Sequence, residues 1–186
     1  MLFRSFEKGY QTVYADQPGS VAAPTAGLHF TEDILAQLKQ NGATIAFITL
    51  HVGIGTFRPI KADKITDHKM HPESYFVSEN TAELLTKNKN KKRLIAVGST
   101  TTRTLESVFD GEKFIAGQGT TDLFIYPGYK FKCVDCILSN FHLPKSSLLV
   151  MMSAFSGQPL MKKAYEQAVN LEYRFFSFGD AMLVMP

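Results

Sequence analysis

The sequence predicts an α/β fold in which helices cover both faces of a mixed sheet, giving three α/β/α layers. Amphipathic helical segments alternate with short apolar strand segments, and two further apolar segments flank a Pro-Gly turn. The 186 residues are 45% hydrophobic and 20% charged, which is enough apolar material for one packed core. We therefore expect residues 1–186 to form a single α/β domain.

The first α/β unit begins at Thr31, a typical helix N-cap, and its helix should end at Asn41-Gly42. The apolar run at residues 43–52 then predicts a buried strand. The buried face of this helix is expected to carry Ile34, Leu35 and Leu38.

A second unit is expected to begin with a short helix near Thr81, followed by a solvated basic turn at residues 87–93. Residues 94–97 predict an apolar strand, and residues 104–109 predict a helix beyond a hydroxyl-rich turn.

Residues 123–126 and 131–138 flank Pro127-Gly128 and predict an antiparallel pair of strands. Residues 147–155 predict a mostly buried helix closed by Gly157, and Pro159 should open another. The apolar face of that last helix is expected to carry Leu160, Ala164, Tyr165, Ala168 and Val169, and the chain should end in strand material.

Composition narrows the class of protein. The longest apolar run, residues 148–155, is far shorter than the roughly 20 residues of a membrane-spanning helix. The start of the chain lacks the features of a secretory signal, so a cytoplasmic location is expected. The net charge of +3 permits a polyanionic partner without requiring one.

Three polar clusters follow or precede apolar segments, where ligands bind in open α/β sheets. In the cluster after the strand at 94–97, either the hydroxyls and guanidinium bind a carboxylate or phosphate, or the turn merely caps a helix. A second cluster offers His142 for proton transfer, unless its imidazole only bonds the loop backbone. In the third, small residues and His29 precede the first helix. The candidate residues are Gly98, Thr100, Thr101, Thr102 and Arg103 in the first cluster, Asn140, His142 and Lys145 in the second, and Thr25, Gly27 and His29 in the third.

Arg174 and Asp180 are embedded in an aromatic run near the C-terminus, so they are expected either to pair with each other or to contact a substrate. Gly53-x-Gly55 lacks the rest of a dinucleotide fingerprint and predicts a turn or bulge. Cys133 and Cys136 are not expected to share a metal or redox site, because strand residues three apart point to opposite faces. Both should instead be buried, since free cysteine is among the most buried residue types. With His68 and His71 too few for a zinc site, no metal is expected.

Together these motifs resemble the S-adenosylmethionine:tRNA ribosyltransferase-isomerase (QueA) family over nearly the whole chain. The resemblance rests on YQTVYA at residues 10–15, residues 22–30 and 49–57, HKMH at residues 68–71, residues 95–107, FIYPG at residues 124–128, residues 140–145 and residues 173–182. It covers only the C-terminal part of the family's chain, and implies a catalytic domain that lacks the N-terminal segment and the inserted β-rich domain. Ser99, Thr101 and Ser139 depart from the family's pattern but keep a hydroxyl, whereas Gly9 replaces a basic residue.

The resemblance implies transfer and isomerisation of the ribosyl group of S-adenosylmethionine onto 7-aminomethyl-7-deazaguanine at the wobble position of a tRNA with a GUN anticodon. The products are epoxyqueuosine, adenine and methionine, so S-adenosylmethionine is a consumed substrate and no cofactor is implied. A base removes a ribose C5′ proton next to the sulfonium.

From the matched motifs, His142 or His29 is implied as this base, and Asp180 as its orienting partner or a sulfonium contact. The remaining candidates are implied to bind substrate, with Lys145 on the tRNA backbone or the donor. Two alternatives stay open: an active enzyme, with or without a separately encoded N-terminal half, and a noncatalytic remnant or tRNA- or donor-binding half.

Overall fold

The computed structural model describes residues 10–20, 22–53, 60, 62 and 64–185. In this part of the chain, short 3-10 helices span Thr25–His29 and Ile65–Asp67. The α-helices are α1 Glu32–Gln40, α2 Glu79–Asn88, α3 Ser99–Val108, α4 Ser147–Ser156 and α5 Gln158–Asn170. The strands are β1 Thr49–His51, β2 Glu73–Val77, β3 Ile95–Val97, β4 Gly117–Thr121, β5 Cys136–Asn140 and β6 Ala181–Val184.

The described strands form two three-stranded sheets. One is antiparallel in the order β1-β2-β4, with Tyr75 opposite Leu50 and Gly119. The other is mixed in the order β3-β5-β6, with β5 parallel to β3 and antiparallel to β6. The predicted α/β class is confirmed, but the expected mixed sheet accounts for only half of the described strands.

Helix α3 joins the two sheets, because it contacts β3 and β5 of the mixed sheet and β4 of the antiparallel sheet. Its Leu105 and Val108 belong to one hydrophobic cluster with Val77 of β2 and Ile137 of β5. The same cluster includes buried methionines of α4 and α5. The N-terminus of α3 is thereby held at the ends of the parallel strands, where the candidate site lies.

Local capping explains why several helices begin where the sequence predicted. The side-chain oxygens of Thr31, Ser78 and Ser146 accept hydrogen bonds from the N–H groups three residues later, each at 3.2 Å. Gly157 separates α4 from α5 with φ +84°, a backbone conformation that favours glycine.

Two predictions about apolar segments in the N-terminal half of the chain were wrong. Only Thr49–His51 of the expected strand at 43–52 forms a ladder, and Phe47 is exposed. The apolar face of α1 is not buried: Ile34 is 40% exposed, and the helix contains no buried residue. The described chain therefore leaves this face uncovered.

The predicted hairpin around Pro127-Gly128 was also wrong. Residues 123–126 form no strand, and β5 instead pairs with β3 and β6, which are distant in sequence. The pattern missed β2 and β4, and it placed the start of α3 five residues too late. In α5, Met161 and Ala168 are buried, whereas Leu160 and Val169 of the predicted apolar face are exposed.

Candidate functional site

A cavity lies between the 3-10 helix Thr25–His29, the N-terminus of α3 and the end of β5. The structure brings six predicted residues to its wall: Thr25, Gly98, Thr100, Thr101, Asn140 and His142. These residues come from all three polar clusters. Ser99 and Ser139 also line the cavity, together with apolar residues that include Leu50, Val52 and Leu148.

Gly98 makes the turn from β3 into α3. Its φ of +93° is a conformation that residues with a side chain rarely adopt. Its N–H donates to Leu138 O at 2.8 Å, so the end of β3 stays bound to β5 as the helix begins. This turn places the first residues of α3 beside Asn140.

The buried amide of Asn140 links two of the predicted clusters. Its Oδ1 accepts from Thr25 Oγ1 at 3.2 Å, and its Nδ2 lies 3.0 Å from His29 Nε2. Because an amide nitrogen can only donate, His29 Nε2 is the acceptor. His29 therefore contacts the site through Asn140 and is not among the residues that line the cavity.

His142 is held in the cavity wall by two hydrogen bonds. Its Nε2 lies 2.8 Å from Ser139 Oγ, and its backbone N–H donates to Tyr165 Oη at 2.8 Å. Desolvation by burial lowers the pKa of His142 to about 4, so the imidazole is neutral at neutral pH. Sequence reasoning missed Ser139 and Tyr165 as partners, although Ser139 lies near the end of β5, only three residues before His142.

Thr102 and Arg103, which were predicted to bind a ligand, are not among the residues that line the cavity. Thr102 Oγ1 donates to Gly98 O at 3.0 Å within the first turn of α3. Arg103 is buried, with Nη1 bonded to Glu73, Nε donating to Leu123 O at 2.8 Å and Nη2 donating to Thr121 O at 3.1 Å. Its guanidinium thus binds α3 to β2 and to the end of β4.

Arg174 and Asp180 pair with each other, with Nη2 and Oδ1 2.7 Å apart. The pair is not buried as expected: the Arg174 side chain is 74% exposed. The hydrogen bond from Arg174 lowers the pKa of Asp180. The pair closes the loop that supplies Phe176 and Ser177 to the cavity wall.

Gly27 and Lys145 also lie outside the cavity wall. A Cβ at Gly27 would overlap Tyr14 Oη and Thr12 Cγ2, so this glycine permits close packing of the 3-10 helix. Lys145 is exposed, and its carbonyl accepts from Ile60 N–H at 2.9 Å.

The remaining motifs lie away from this cavity. Cys133 and Cys136 are buried free thiols. Among the described residues, no three His, Cys, Asp or Glu side chains are grouped as a metal site would require. None of the described helices has the length and apolarity to cross a membrane. The predicted turn at Gly53-x-Gly55 falls partly outside the described residues.

Comparisons with known proteins agree with one another. The sequence profile of the family described as "Queuosine biosynthesis protein" matches residues 3–184. The S-adenosylmethionine:tRNA ribosyltransferase-isomerase of Staphylococcus epidermidis is 58% identical over 178 residues, which are 95% of this chain and 52% of that protein. The enzyme of the same name from Staphylococcus aureus is 56% identical over 178 residues, again 95% of this chain and 52% of that protein.

The fold is also similar to a solved structure. A crystal structure of an S-adenosylmethionine tRNA ribosyltransferase from Thermotoga maritima superposes with a TM-score of 0.72 at 43% identity. The match covers 86% of this chain and 51% of that one. The chain thus spans about half the length of the relatives that it matches.

Proposed function

The chain belongs to the queuosine biosynthesis protein family, and on that premise we propose that it carries the donor-binding and catalytic site of an S-adenosylmethionine:tRNA ribosyltransferase-isomerase. The observation that supports this most strongly is the cavity, where the three polar clusters of the sequence meet. Its wall combines hydroxyl, amide and imidazole groups with apolar side chains. Such a mixed wall suits a nucleoside with a polar amino-acid end.

In the proposed reaction the ribosyl group passes to 7-aminomethyl-7-deazaguanine at the wobble position of a tRNA with a GUN anticodon. A base removes a C5′ proton beside the sulfonium, adenine leaves, and the substrate amine attacks. Closure of the epoxide then expels methionine and gives epoxyqueuosine. S-adenosylmethionine is consumed, no separate cofactor takes part, and the reaction would take place in the cytoplasm.

Of the two candidate bases, His142 fits better because it lines the cavity and is neutral. His29 lies behind Asn140 and is the alternative base. If His142 is the base, protonation would abolish turnover only below a pH of about 4, and kcat/KM would have its acid limb there. An acid limb well above that pH would exclude His142. Replacement of both histidines with turnover retained would remove the general-base proposal.

The tRNA is proposed to bind partly through electrostatic attraction to basic side chains, including the exposed Lys91, Lys92 and Arg93. Lys92 already donates to Thr44 Oγ1 at 2.9 Å, so the stretch also has a structural role. Binding of the anticodon stem-loop should weaken as salt rises. Affinity independent of salt would contradict this part of the proposal.

Release of adenine from S-adenosylmethionine tests the function. The purified chain is incubated with donor and precursor tRNA, alone and with a second polypeptide that supplies the part of the S. epidermidis relative outside the match. We expect adenine release that requires the precursor tRNA and is lost in His142→Ala. Donor binding without release under both conditions would favour the alternative, a binding half or noncatalytic remnant, which is supported by the 52% coverage of the relatives.

A further inference from the structure

We propose that the N-terminus of α3 binds the carboxylate of the amino-acid end of S-adenosylmethionine without any cationic side chain. The ligands would be the N–H groups of Ser99, Thr100 and Thr101 and the hydroxyl of Thr100. This inference rests on the proposed function and specifies how the donor is oriented in the cavity.

The first backbone donors of α3 have no partner within the described residues. The N-cap residue of the helix is Gly98, which has no side chain to accept from these donors. The first donor that is bonded is Thr102 N–H, which reaches Gly98 O at 3.1 Å. The three preceding residues all line the cavity, so their N–H groups and the positive end of the helix dipole are available to an anion.

Thr100 provides an independent indication of a ligand. Thr100 lines the cavity although the residue is only 6% exposed. No hydrogen bond to its hydroxyl is made by any residue in the described ranges, whereas Thr102 and Ser107 of the same helix bond to carbonyls one turn earlier. The hydroxyl of this largely buried residue is therefore available to a ligand, and a carboxylate oxygen would accept a hydrogen bond from it.

The described wall of the cavity contains neither acidic side chains nor Lys or Arg, which suits an anion bound by neutral hydrogen-bond donors. None of the described residues in its wall is Asp or Glu, so no carboxylate there would repel the ligand. Arg103, the nearest cation along the helix, is bonded to Glu73 instead. Recognition therefore depends on hydrogen-bond donors and the helix terminus.

The test compares two ligands that differ only in the carboxylate: S-adenosylmethionine and its decarboxylated analogue, which keeps the sulfonium, the adenosine and the amine. Affinities are measured by calorimetry for the full chain and for Thr100→Val. The matched control is Thr104→Val. Thr104 lies one turn later in α3, is buried, and its hydroxyl makes no hydrogen bond, but the residue is not part of the cavity wall.

We expect the unaltered chain to bind S-adenosylmethionine at least tenfold more tightly than the analogue. Thr100→Val should weaken the affinity for S-adenosylmethionine about tenfold and change the affinity for the analogue less than twofold. Thr104→Val should change neither affinity. If Thr100→Val fails to fold, Thr100→Ala and Thr100→Ser replace it, with the affinity lost in the first and retained in the second.

Equal binding of the two ligands, or an equal loss for both in Thr100→Val, would overturn the carboxylate assignment while leaving donor binding intact. A loss confined to tRNA binding would overturn it too and would assign the helix terminus to a phosphate. If the chain binds neither ligand, even with the supplied second polypeptide, the proposed function itself fails.

Discussion

His142 shows how burial sets the chemistry of a single residue. Its imidazole has a pKa of about 4 in the folded chain, against roughly 6.5 for an unfolded histidine. Between these values the unfolded chain binds the extra proton, so the free energy of unfolding should fall as pH falls from about 6.5 to 4. The loss at the lower end should be about 3 kcal/mol.

Urea unfolding at pH 7 and pH 4.5 tests this expectation, with His142→Asn compared against the exposed control His71→Asn. The pH dependence should be weaker in His142→Asn and unchanged in the control. Equal pH dependence in all three chains would mean that His142 is not held neutral by burial.

Asn140 is the second residue on which the site depends, because it positions two side chains at once. In the orientation that the structure has, its Oδ1 accepts from Thr25 and its Nδ2 donates to His29. In a neutral histidine, the hydrogen bonds made by the two ring nitrogens determine which of them carries the proton. Asn140 thereby defines which nitrogen of His29 can carry the proton when the ring is neutral.

At the scale of elements, Arg103 holds α3 against the antiparallel sheet through Glu73 and two carbonyls. Arg103→Met should lower the free energy of unfolding by about 3 to 5 kcal/mol, because it leaves a buried carboxylate without its cation. Arg103→Lys should cost less and leave donor affinity unchanged, since Arg103 does not line the cavity.

Lys162→Met is the control for this measurement, because Lys162 and Glu166 form an exposed pair at 3.9 Å on α5. Its cost in urea unfolding should be below about 0.5 kcal/mol. A loss of donor affinity in Arg103→Lys, with little change in stability for Arg103→Met, would return Arg103 to the binding site.

The elements that the sequence predicted well are those defined by local signals. Thr31, Ser78 and Ser146 mark helix starts through bonds to residues three positions later, which a linear pattern can detect. Strand β4, with the sequence GQGTT, has no apolar alternation and could not be detected this way.

Partners distant in sequence account for the errors. β5 pairs with β3 and β6, which are distant in sequence, and not with the segment across the Pro127-Gly128 turn. Tertiary packing therefore determines its neighbours. The bond between Arg103 and Glu73 was not predicted, because Glu73 lies 30 residues upstream in a strand that the pattern missed. Convergence of the three polar clusters followed from the rule that ligands bind at strand ends.

At the scale of the whole molecule, the described surface carries exposed apolar side chains around the end of α5. Val169 and Leu171 are 63% and 64% exposed, and Phe176 and Phe178 are exposed nearby in sequence. Exposed apolar patches promote association. Sedimentation should therefore show self-association that Val169→Gln and Leu171→Gln together reduce, with donor affinity unchanged. A monomeric unaltered chain would contradict this expectation.

The central claim is that the cavity between the 3-10 helix, α3 and β5 is where S-adenosylmethionine binds. An NMR titration of the isotope-labelled chain with the donor tests it most directly. The largest amide shifts should occur at Ser99, Thr100, Thr101 and Asn140, which line the cavity. Shifts confined to the separate crevice lined by Ser107, Lys130 and Lys132 would contradict the account.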